Sequence, residues 1–307
     1  MTAEVQCRCA ECGAEFSAEP EGGHRLLCGS STETDAVDRL MAGERAVLVA
    51  TDPPYLVDYK GGDHPPSATN RRQLNKDKDW SDKYREGPSV SAREAKNKDW
   101  RDTYDGSADE FFAGFIATGV AVAAAPAAPW YIWHADRRVV ELKEAMTRCG
   151  FLVHQHIIWV KARAVLTYSH FMIGHESCLY GWLEGHAPPV DRRPPANERT
   201  VWQIDGKIED GVSGVHPTQK PVEIVTRPIC YHTKPGELIY EPFSGSGTAF
   251  IAAEKEGRRC YGMELSPGFV DVIVLRWSKF TGRQAVLAGD GRSFDEIAAA
   301  RGRAAAA

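Results

Sequence analysis

Apolar and polar positions alternate along the chain in two patterns, and together they predict an α/β fold. Short runs of consecutive apolar residues are typical of buried strands in a parallel sheet. These runs are 25–28, 46–51, 130–133, 155–160, 178–182, 238–240 and 260–263. Segments with apolar residues at helical spacing stand between them: 34–41, 111–125, 139–149, 222–231 and 248–256. This alternation predicts a sheet with crossover helices.

Two long polar segments interrupt the alternation. Segment 61–109 contains a near repeat, Asn-Lys-Asp-Lys-Asp-Trp at 75–80 and Asn-Lys-Asp-Trp at 97–100. Loops of that length are often functional, so we expect a lid, with a solvated loop as the alternative. We expect 161–215 to be a variable recognition segment. The predicted organisation is an N-terminal tail, 1–23, a main domain, 24–295, and a flexible tail, 296–307.

Composition narrows the class of protein. The chain has 307 residues, 43% hydrophobic, with a formal net charge of -5. This balance excludes a wholly basic coat for nucleic acid but not a local basic cleft. No apolar run reaches membrane-spanning length, so we expect no membrane association. The start of the chain contains Glu, Arg and several Cys, unlike a signal peptide, which predicts a cytoplasmic protein with reduced cysteines.

The N-terminal cysteines raise one question about metal. Cys9 and Cys12, followed by His24 and Cys28, have a spacing that a zinc site could use. Against this, His24 and Cys28 also flank the first predicted strand, where Cys28 would be a small buried residue. We therefore expect no metal in the main domain, with zinc as the alternative.

A glycine-rich turn follows the strand 238–240. The sequence Glu241-Pro242-Phe243-Ser244-Gly245-Ser246-Gly247 leads into a predicted helix. Glycines between a strand and a helix let a ligand lie against bare backbone, and the helix N-terminus favours a carboxylate. Glu264 ends the next apolar strand, where its carboxylate can accept hydrogen bonds from ribose hydroxyls. The turn lacks the Gly-Lys-Ser/Thr of phosphate loops, which disfavours an ATPase.

A second motif, Asp52-Pro53-Pro54-Tyr55, follows the strand 46–51 directly. An exocyclic amino nitrogen is a poor nucleophile, because its lone pair is delocalised into the ring. The Asp52 carboxylate and the carbonyl of Pro53 can accept its two hydrogens, while Tyr55 offers an aromatic face for stacking the base. The prolines fix the turn and remove competing N–H donors. A strand-ending turn is the simpler alternative.

In this order the two motifs resemble the β group of DNA amino-methyltransferases, and the resemblance runs from about His24 to about Gly282. It implies a Rossmann-like fold with a circularly permuted motif order and a mostly parallel twisted sheet with one antiparallel edge strand. It also implies methyl transfer from S-adenosylmethionine to adenine N6 or cytosine N4 of double-stranded DNA. A target base inside a duplex must first be flipped out of the stack.

The resemblance assigns roles to further residues. The catalytic set is Asp52, Pro53, Pro54 and Tyr55, and His175 and Glu176 support the base pocket. Cofactor contacts are implied for Phe243, Ser244, Gly245, Ser246, Gly247, Glu264, Thr218, Lys220 and Ser30. Relatives commonly carry Gly-Asp after the first strand where this chain has Gly29-Ser30, so a hydroxyl would replace an acid there. Within the variable segment, Arg192, Arg193 and Arg199 could meet phosphates or guanine edges.

In the family that this chain resembles, Asp at the first position of the motif favours adenine-N6 methylation. The resemblance also implies a role in restriction-modification. Cytosine-N4 methylation is the alternative, and a catalytically weak nucleic-acid-binding relative is a second one. The sequence leaves open the recognition site, a homodimer and a partner restriction nuclease.

Overall fold

The structure, a computed structural model, describes residues 16–17, 23–56, 107–165, 171–205, 220–289 and 291–305. Cys9, Cys12, Thr218 and nearly all of the predicted lid, including its repeat, lie outside these residues. The described residues form a nine-stranded sheet in the order β1-β2-β9-β8-β3-β4-β6-β5-β7. The strands are β1 (Phe16–Ser17), β2 (Arg25–Cys28), β3 (Leu48–Thr51), β4 (Trp130–His134), β5 (Phe151–Val165), β6 (Ile173–Leu183), β7 (Val201–Ile204), β8 (Leu238–Glu241) and β9 (Arg259–Glu264).

Helices cover both faces of the sheet. They are α1 (Thr34–Met41), α2 (Ala108–Thr118), α3 (Val139–Arg148), α4 (Glu223–His232), α5 (Thr248–Lys255), α6 (Pro267–Thr281) and α7 (Phe294–Ala305). The first three pack with one face of the sheet in one apolar core, and the last four pack with the other face in a second core. Because both faces are buried, the parallel strands are apolar throughout, as the sequence pattern requires.

The predicted α/β fold with a mostly parallel sheet is confirmed. Strands β2, β9, β8, β3 and β4 pair in parallel, and β7 pairs in parallel with β5. The position of the antiparallel strand differs from the prediction, because β6 lies inside the sheet between β4 and β5. The short edge strand β1 also pairs antiparallel, with β2. The inner position suits β6, whose central residues from Ser177 to Gly181 are buried.

The two sequence motifs meet because β3 and β8 are hydrogen-bonded neighbours. Asp52 follows β3, and the glycine-rich turn follows β8. Among the described residues, the first helix after β3, α2, packs on one face of the sheet, and the helix after β8, α5, packs on the other. The connections that leave the two neighbouring strands therefore lead to opposite faces. A crevice forms where neighbouring parallel strands diverge in this way, and ligands of open α/β sheets bind there.

Two helix boundaries differ from the prediction because of capping boxes. Ser107 and Glu110 exchange hydrogen bonds across the start of α2, which therefore begins before the predicted 111. Ser293 and Glu296 do the same before α7. As a result, the predicted flexible tail is helical as far as Ala305.

The predicted recognition segment contains β7 and the outer part of a long β5–β6 hairpin, both absent from the sequence prediction. Among the described residues, no helix combines the length and the apolar character needed to cross a membrane.

Candidate active site

A cavity of about 500 Å³ opens at the carboxyl ends of β3 and β8. Its wall combines both sequence motifs with residues from β4, β6, β9 and α4. The lining residues that carry the argument are Gly29, Ser31, Asp52, Pro53, Tyr55, Trp133, Glu176, Lys220, Glu241, Gly245 and Glu264. The structure thus places the acid of the first motif and the glycines of the second against one space.

Asp52 stands at the start of the turn after β3, with its side chain 28% exposed. Lys220 Nζ donates a hydrogen bond to Asp52 Oδ2. The other oxygen, Oδ1, is buried and has no hydrogen-bond partner within the described part of the chain. Burial raises the pKa of Asp52, and the neighbouring Lys220 ammonium opposes that rise. One carboxylate oxygen is therefore held while the other is left for an incoming donor.

Glu176 connects Asp52 to a wider network of charges. Its Oε2 accepts a hydrogen bond from the Tyr55 hydroxyl at 3.0 Å and lies 3.2 Å from Lys220 Nζ. Its Oε1 lies 2.7 Å from Lys161 Nζ, at the outer part of β5. Burial raises the pKa of Glu176, but the two ammonium groups outweigh this effect and hold that pKa below its usual value. Burial raises the pKa of Tyr55 well above its usual value, so its hydroxyl stays protonated and donates.

The glycine turn, residues 243–247, forms the opposite wall. The Ser244 N–H donates to the Met263 carbonyl at 2.9 Å, which ties the turn to β9. Gly245 and Gly247 have φ values of 53° and 80°, in the left-handed region that favours glycine. A Cβ at Gly247 would lie 2.9 Å from Ile273 Cγ2, so this glycine also permits α6 to pack closely.

Glu264 braces the glycine turn from β9. Its Oε2 accepts a hydrogen bond from the Gly245 N–H and its Oε1 from the Ser266 N–H, each at 2.9 Å. Burial raises the pKa of this carboxyl to about 7, and the two backbone donors limit the rise. A carboxylate oxygen has more than one lone pair, so both can accept a further hydrogen bond from a ligand.

Two buried residues that the sequence argument missed connect these walls. Glu241, the last residue of β8, accepts hydrogen bonds from the Thr51 hydroxyl at 2.5 Å and the Phe243 N–H at 3.0 Å. Burial raises the pKa of Glu241 well above its usual value. Arg276 of α6 donates to the Ser246 carbonyl at 2.8 Å. Glu241 borders the glycine motif and could have been noticed there, whereas nothing in the sequence singles out Arg276.

A model of the N6/N4 family described as "DNA methylase" matches residues 46–275, which include both motifs. The chain belongs to this family. It is 33% identical over 143 residues to the type II methyltransferase M.Cfr9I of Citrobacter freundii, covering 43% of this chain and 46% of the relative. It is 31% identical over 138 residues to the type II methyltransferase M.XycI of Xanthomonas campestris pv. cyanopsidis, covering 41% and 45%. The matched region spans about half the length of these curated relatives.

Solved structures show the same fold. The crystal structure of the M1.HpyAVI–SAM complex matches with a TM-score of 0.54 at 17% identity, covering 82% of this chain and 97% of that one. The cytosine-N4-specific PvuII DNA methyltransferase matches with a TM-score of 0.59 at 13% identity, covering 90% and 89%. These likenesses show that the shared fold covers 82% to 90% of the chain.

The family resemblance suggested Ser30 as a cofactor contact, but the neighbouring residue, Ser31, lines the cavity instead. The Ser30 hydroxyl shares a hydrogen bond with Thr32 Oγ1 at 2.7 Å, and Ser30 does not line the cavity. Ser31 lines it, is 2% exposed, and has a buried Oγ with no hydrogen-bond partner among the described residues. We therefore expect that the Ser31 hydroxyl, and not the Ser30 hydroxyl, contacts the cofactor.

His175 and Glu176 were expected together in the base pocket, and only Glu176 lies there. Successive residues of a strand point to opposite faces, so the two side chains of β6 separate. His175 is 45% exposed, and its Nε2 lies 3.6 Å from Asp136 Oδ2.

The three arginines predicted to contact DNA lie towards the amino ends of the strands, away from the cavity. Arg192 donates to both oxygens of Glu237, at 2.7 and 2.6 Å, just before β8 begins. Arg193 donates from Nε to the Pro188 carbonyl at 2.7 Å, and Arg199 lies beside it on a second, aromatic-lined depression. Their placement does not support the predicted DNA contacts.

The hydrogen bonds of the His24 ring do not favour its use as a zinc ligand. The Cys260 N–H donates to its Nδ1 at 2.9 Å, and its Nε2 donates to Glu254 at 3.0 Å. Both ring nitrogens are therefore used in hydrogen bonds. Cys28 is a buried thiol.

Proposed function

We propose that the protein is an S-adenosylmethionine-dependent DNA methyltransferase that modifies adenine N6 in double-stranded DNA by base flipping. The observation that carries the proposal is the shared cavity, which is lined by Asp52, Gly245 and Glu264 and at which Asp52 Oδ1 has no hydrogen-bond partner among the described residues. An acceptor for an amino group and a cradle for a nucleoside-like cofactor are the two parts that this reaction needs. The relatives are named type II methyltransferases, which supports a role in restriction-modification.

The glycine-turn side of the cavity fits S-adenosylmethionine. Among the described residues, the atom nearest to a Cβ built at Gly245 would be the Phe243 carbonyl oxygen, 3.9 Å away, so the backbone there leaves room for a ligand. Glu264 would accept hydrogen bonds from the ribose hydroxyls, and the buried Ser31 hydroxyl, which has no partner among the described residues, would bind another polar group of the cofactor. The first turn of α5 follows the glycines and favours the carboxylate of the methionine moiety. A bound cofactor would supply the methyl group, which would pass from its sulfur to the target nitrogen.

The other side of the cavity suits the flipped base. Asp52 Oδ1 and the Pro53 carbonyl would accept the two amino hydrogens, which draws the nitrogen lone pair out of conjugation. Tyr55, fixed by its hydrogen bond to Glu176, would stack on the ring. Arg138 Nη2 donates to the Leu56 carbonyl at 2.6 Å and so fixes the end of this turn. Asp52 Oδ1 can take up the proton that the nitrogen loses.

Adenine is the proposed base because Asp occupies the first position of the motif, where cytosine-N4 relatives more often carry Ser. Much of the rate increase would come from holding the amino nitrogen in line with the methyl group. Tyr55 and Asp52 are already held by hydrogen bonds within the protein. Because these groups need little rearrangement, the free-energy barrier to the transition state is lower.

The test is nucleoside analysis of DNA from a methylase-deficient host that expresses the full chain. We expect N6-methyladenine with the wild type and none with Asp52→Ala. Asp191→Ala is a matched control, because Asp191 is an exposed acid paired with Lys234 at 3.2 Å, remote from the cavity. N4-methylcytosine instead would overturn the adenine assignment. No modified base from a folded protein that binds the cofactor would overturn the proposed activity.

A further inference from the structure

We propose that Lys220 is a positioning residue for Asp52 and not a cofactor contact. Its ammonium group, anchored on Glu176, holds Asp52 Oδ2 and leaves Oδ1 charged and available for the target amino group. This inference rests on the proposed function, because it names what prepares the amino acceptor of that reaction. It also replaces the role that the family resemblance suggested for Lys220.

The geometry separates the backbone of Lys220 from its side chain. The Lys220 carbonyl accepts a hydrogen bond from Thr248 Oγ1 at 3.4 Å, so the backbone lies beside the start of α5. The side chain, 9% exposed, instead reaches Asp52 and lies 3.2 Å from Glu176. Its Nζ also lies 5.4 Å from the centre of the Tyr55 ring. The charged end therefore belongs to the substrate side of the cavity.

Glu176 keeps Lys220 in place when the substrate arrives. Its Oε1 lies 2.7 Å from Lys161 Nζ, so the carboxylate is itself held from β5. Lys161, Glu176, Lys220 and Asp52 thus alternate in charge along one chain of contacts. Such a chain fixes the position of each member better than an isolated pair does.

The charge of Lys220 decides whether Asp52 can accept a hydrogen bond. Lys220, Glu176 and Tyr55 act on the pKa of Asp52, and Asp52 in turn raises the pKa of two other neighbours, Cys178 of β6 and Glu241 of β8. Burial and the Glu176 carboxylate favour a protonated Asp52, and the Lys220 ammonium opposes them. Loss of this ammonium should therefore leave Asp52 protonated at low pH. A protonated carboxyl has one donor oxygen and accepts an amino hydrogen poorly, so Oδ1 would no longer act as the acceptor.

Three variants test this role by their pH profiles. Single-turnover methylation of unmodified DNA is measured from pH 5.5 to 9 for wild type, Lys220→Gln, Lys220→Arg and Glu176→Gln. We expect Lys220→Gln to lose at least about tenfold in rate at pH 6 and to recover towards pH 9, because a rise of one unit in the Asp52 pKa costs a factor of about 10 below that pKa. Lys220→Arg keeps the charge and should keep the wild-type profile.

Glu176→Gln supplies the opposite perturbation. It removes a negative charge beside Asp52, so its acid limb should not move to higher pH even if its rate falls. Cofactor affinity, measured by calorimetry, should stay within about threefold of wild type in Lys220→Gln. A Lys220→Gln profile that superimposes on the wild type, or a loss confined to cofactor affinity, would overturn the proposal.

A second measurement does not depend on catalysis. The Asp52 carboxyl is titrated by NMR of protein labelled with ¹³C at the aspartate carboxyls, and the signal is assigned by its loss in Asp52→Asn. We expect Asp52 to be ionised at pH 8 in the wild type and to titrate at higher pH in Lys220→Gln. If Lys220→Gln does not fold, the wild type alone decides, because an Asp52 still protonated at pH 8 would refute the pairing. A wild type that pairs as expected but methylates no DNA would instead refute the proposed function.

Discussion

Lowering the pH from 8 to 5.5 should weaken binding of S-adenosylmethionine, because Glu264 takes up a proton in this range. Burial raises the pKa of this carboxyl to about 7, and hydrogen bonds from the backbone of Gly245 and Ser266 limit the rise. The ionised form can accept hydrogen bonds from ribose hydroxyls with both oxygens. The protonated form has to use one oxygen as a donor, so it offers a poorer match to two ribose donors and to two backbone donors.

The size of the effect follows from the ionised fraction. With a pKa of about 7, roughly nine-tenths of Glu264 is ionised at pH 8 and a few per cent at pH 5.5, since each unit below the pKa costs a factor of about 10. If only the ionised form binds, affinity falls by about 30-fold, or roughly 2 kcal/mol.

The stability of the free protein should change in the opposite direction. The pKa of Glu264 in the folded state exceeds its ordinary value of 4.5, so folding favours the protonated form. This stabilisation is complete below about pH 4.5 and is lost as the pH rises to about 7, by up to roughly 3 kcal/mol. As the pH rises, cofactor affinity should therefore increase while the Glu264 contribution to the stability of the free protein decreases. General acid unfolding would instead lower both affinity and stability as the pH falls.

Calorimetry at pH 5.5 to 8, in buffers of different ionisation enthalpy, measures both affinity and protons released. We expect the wild type to release protons near pH 6.5 and Glu264→Gln to lose this release, with cofactor binding about 1–3 kcal/mol weaker at pH 8. Glu184→Gln, a change at an exposed site, is the control and should behave as wild type. Wild-type affinity that does not vary with pH, or proton release that persists in Glu264→Gln, would refute the reasoning.

Two further substitutions test the two walls of the cavity, and a third tests the packing of β9. Asp52→Ala should abolish methyl transfer while cofactor binding persists, and turnover by the folded variant in a tritium-transfer assay would exclude the mechanism. Gly245→Val should abolish cofactor binding because φ is 53° there and the side chain would enter the cavity; normal affinity by calorimetry would place the cofactor elsewhere. Gly262→Ala should destabilise the protein by about 1–3 kcal/mol in urea unfolding, since its Cβ would lie 2.7 Å from the Phe250 ring. Gly174→Ala, whose Cβ would have no described atom within 4 Å, is the matched control, and equal losses in both variants would contradict the packing argument.

The sequence predicted the centre of the fold well for a simple physical reason. Strands buried on both faces are apolar throughout, so runs such as 25–28 and 238–240 appear directly in the sequence. The carboxyl ends of parallel strands lie at one edge, which is why motifs after β3 and β8 could be expected to meet. The position of β6 was not predictable in this way, because apolar content marks a strand as buried without giving its direction or its neighbours.

Side-chain direction and long-range pairing limited the prediction of the site. Ser30 and Ser31 are adjacent in a turn, and only the fold decides which one faces the cavity. His175 and Glu176 separate because strand residues alternate, and the exact register of β6 was needed to choose between them. Arg192 forms an ion pair with Glu237, a residue distant in sequence. The sequence alone does not reveal this pairing, so it predicted that the Arg192 charge was available to DNA. The capping box at Ser293 has the local signature Ser-x-x-Glu, which is present in the sequence, whereas the expected flexible tail takes no account of it.

The charges around the cavity suggest how it distinguishes its two ligands. On the substrate side, Asp52 and Glu176 are compensated by the ammonium groups of Lys220 and Lys161, which suits an uncharged base. On the cofactor side, Glu264 accepts hydrogen bonds from backbone N–H groups, neutral donors that leave its negative charge uncompensated when it is ionised. A positively charged sulfonium is attracted to the second side, whereas the balanced charges of the first side give it no comparable attraction. Under the proposed function, the same asymmetry that prepares Asp52 to accept an amino group therefore also orients the methyl donor.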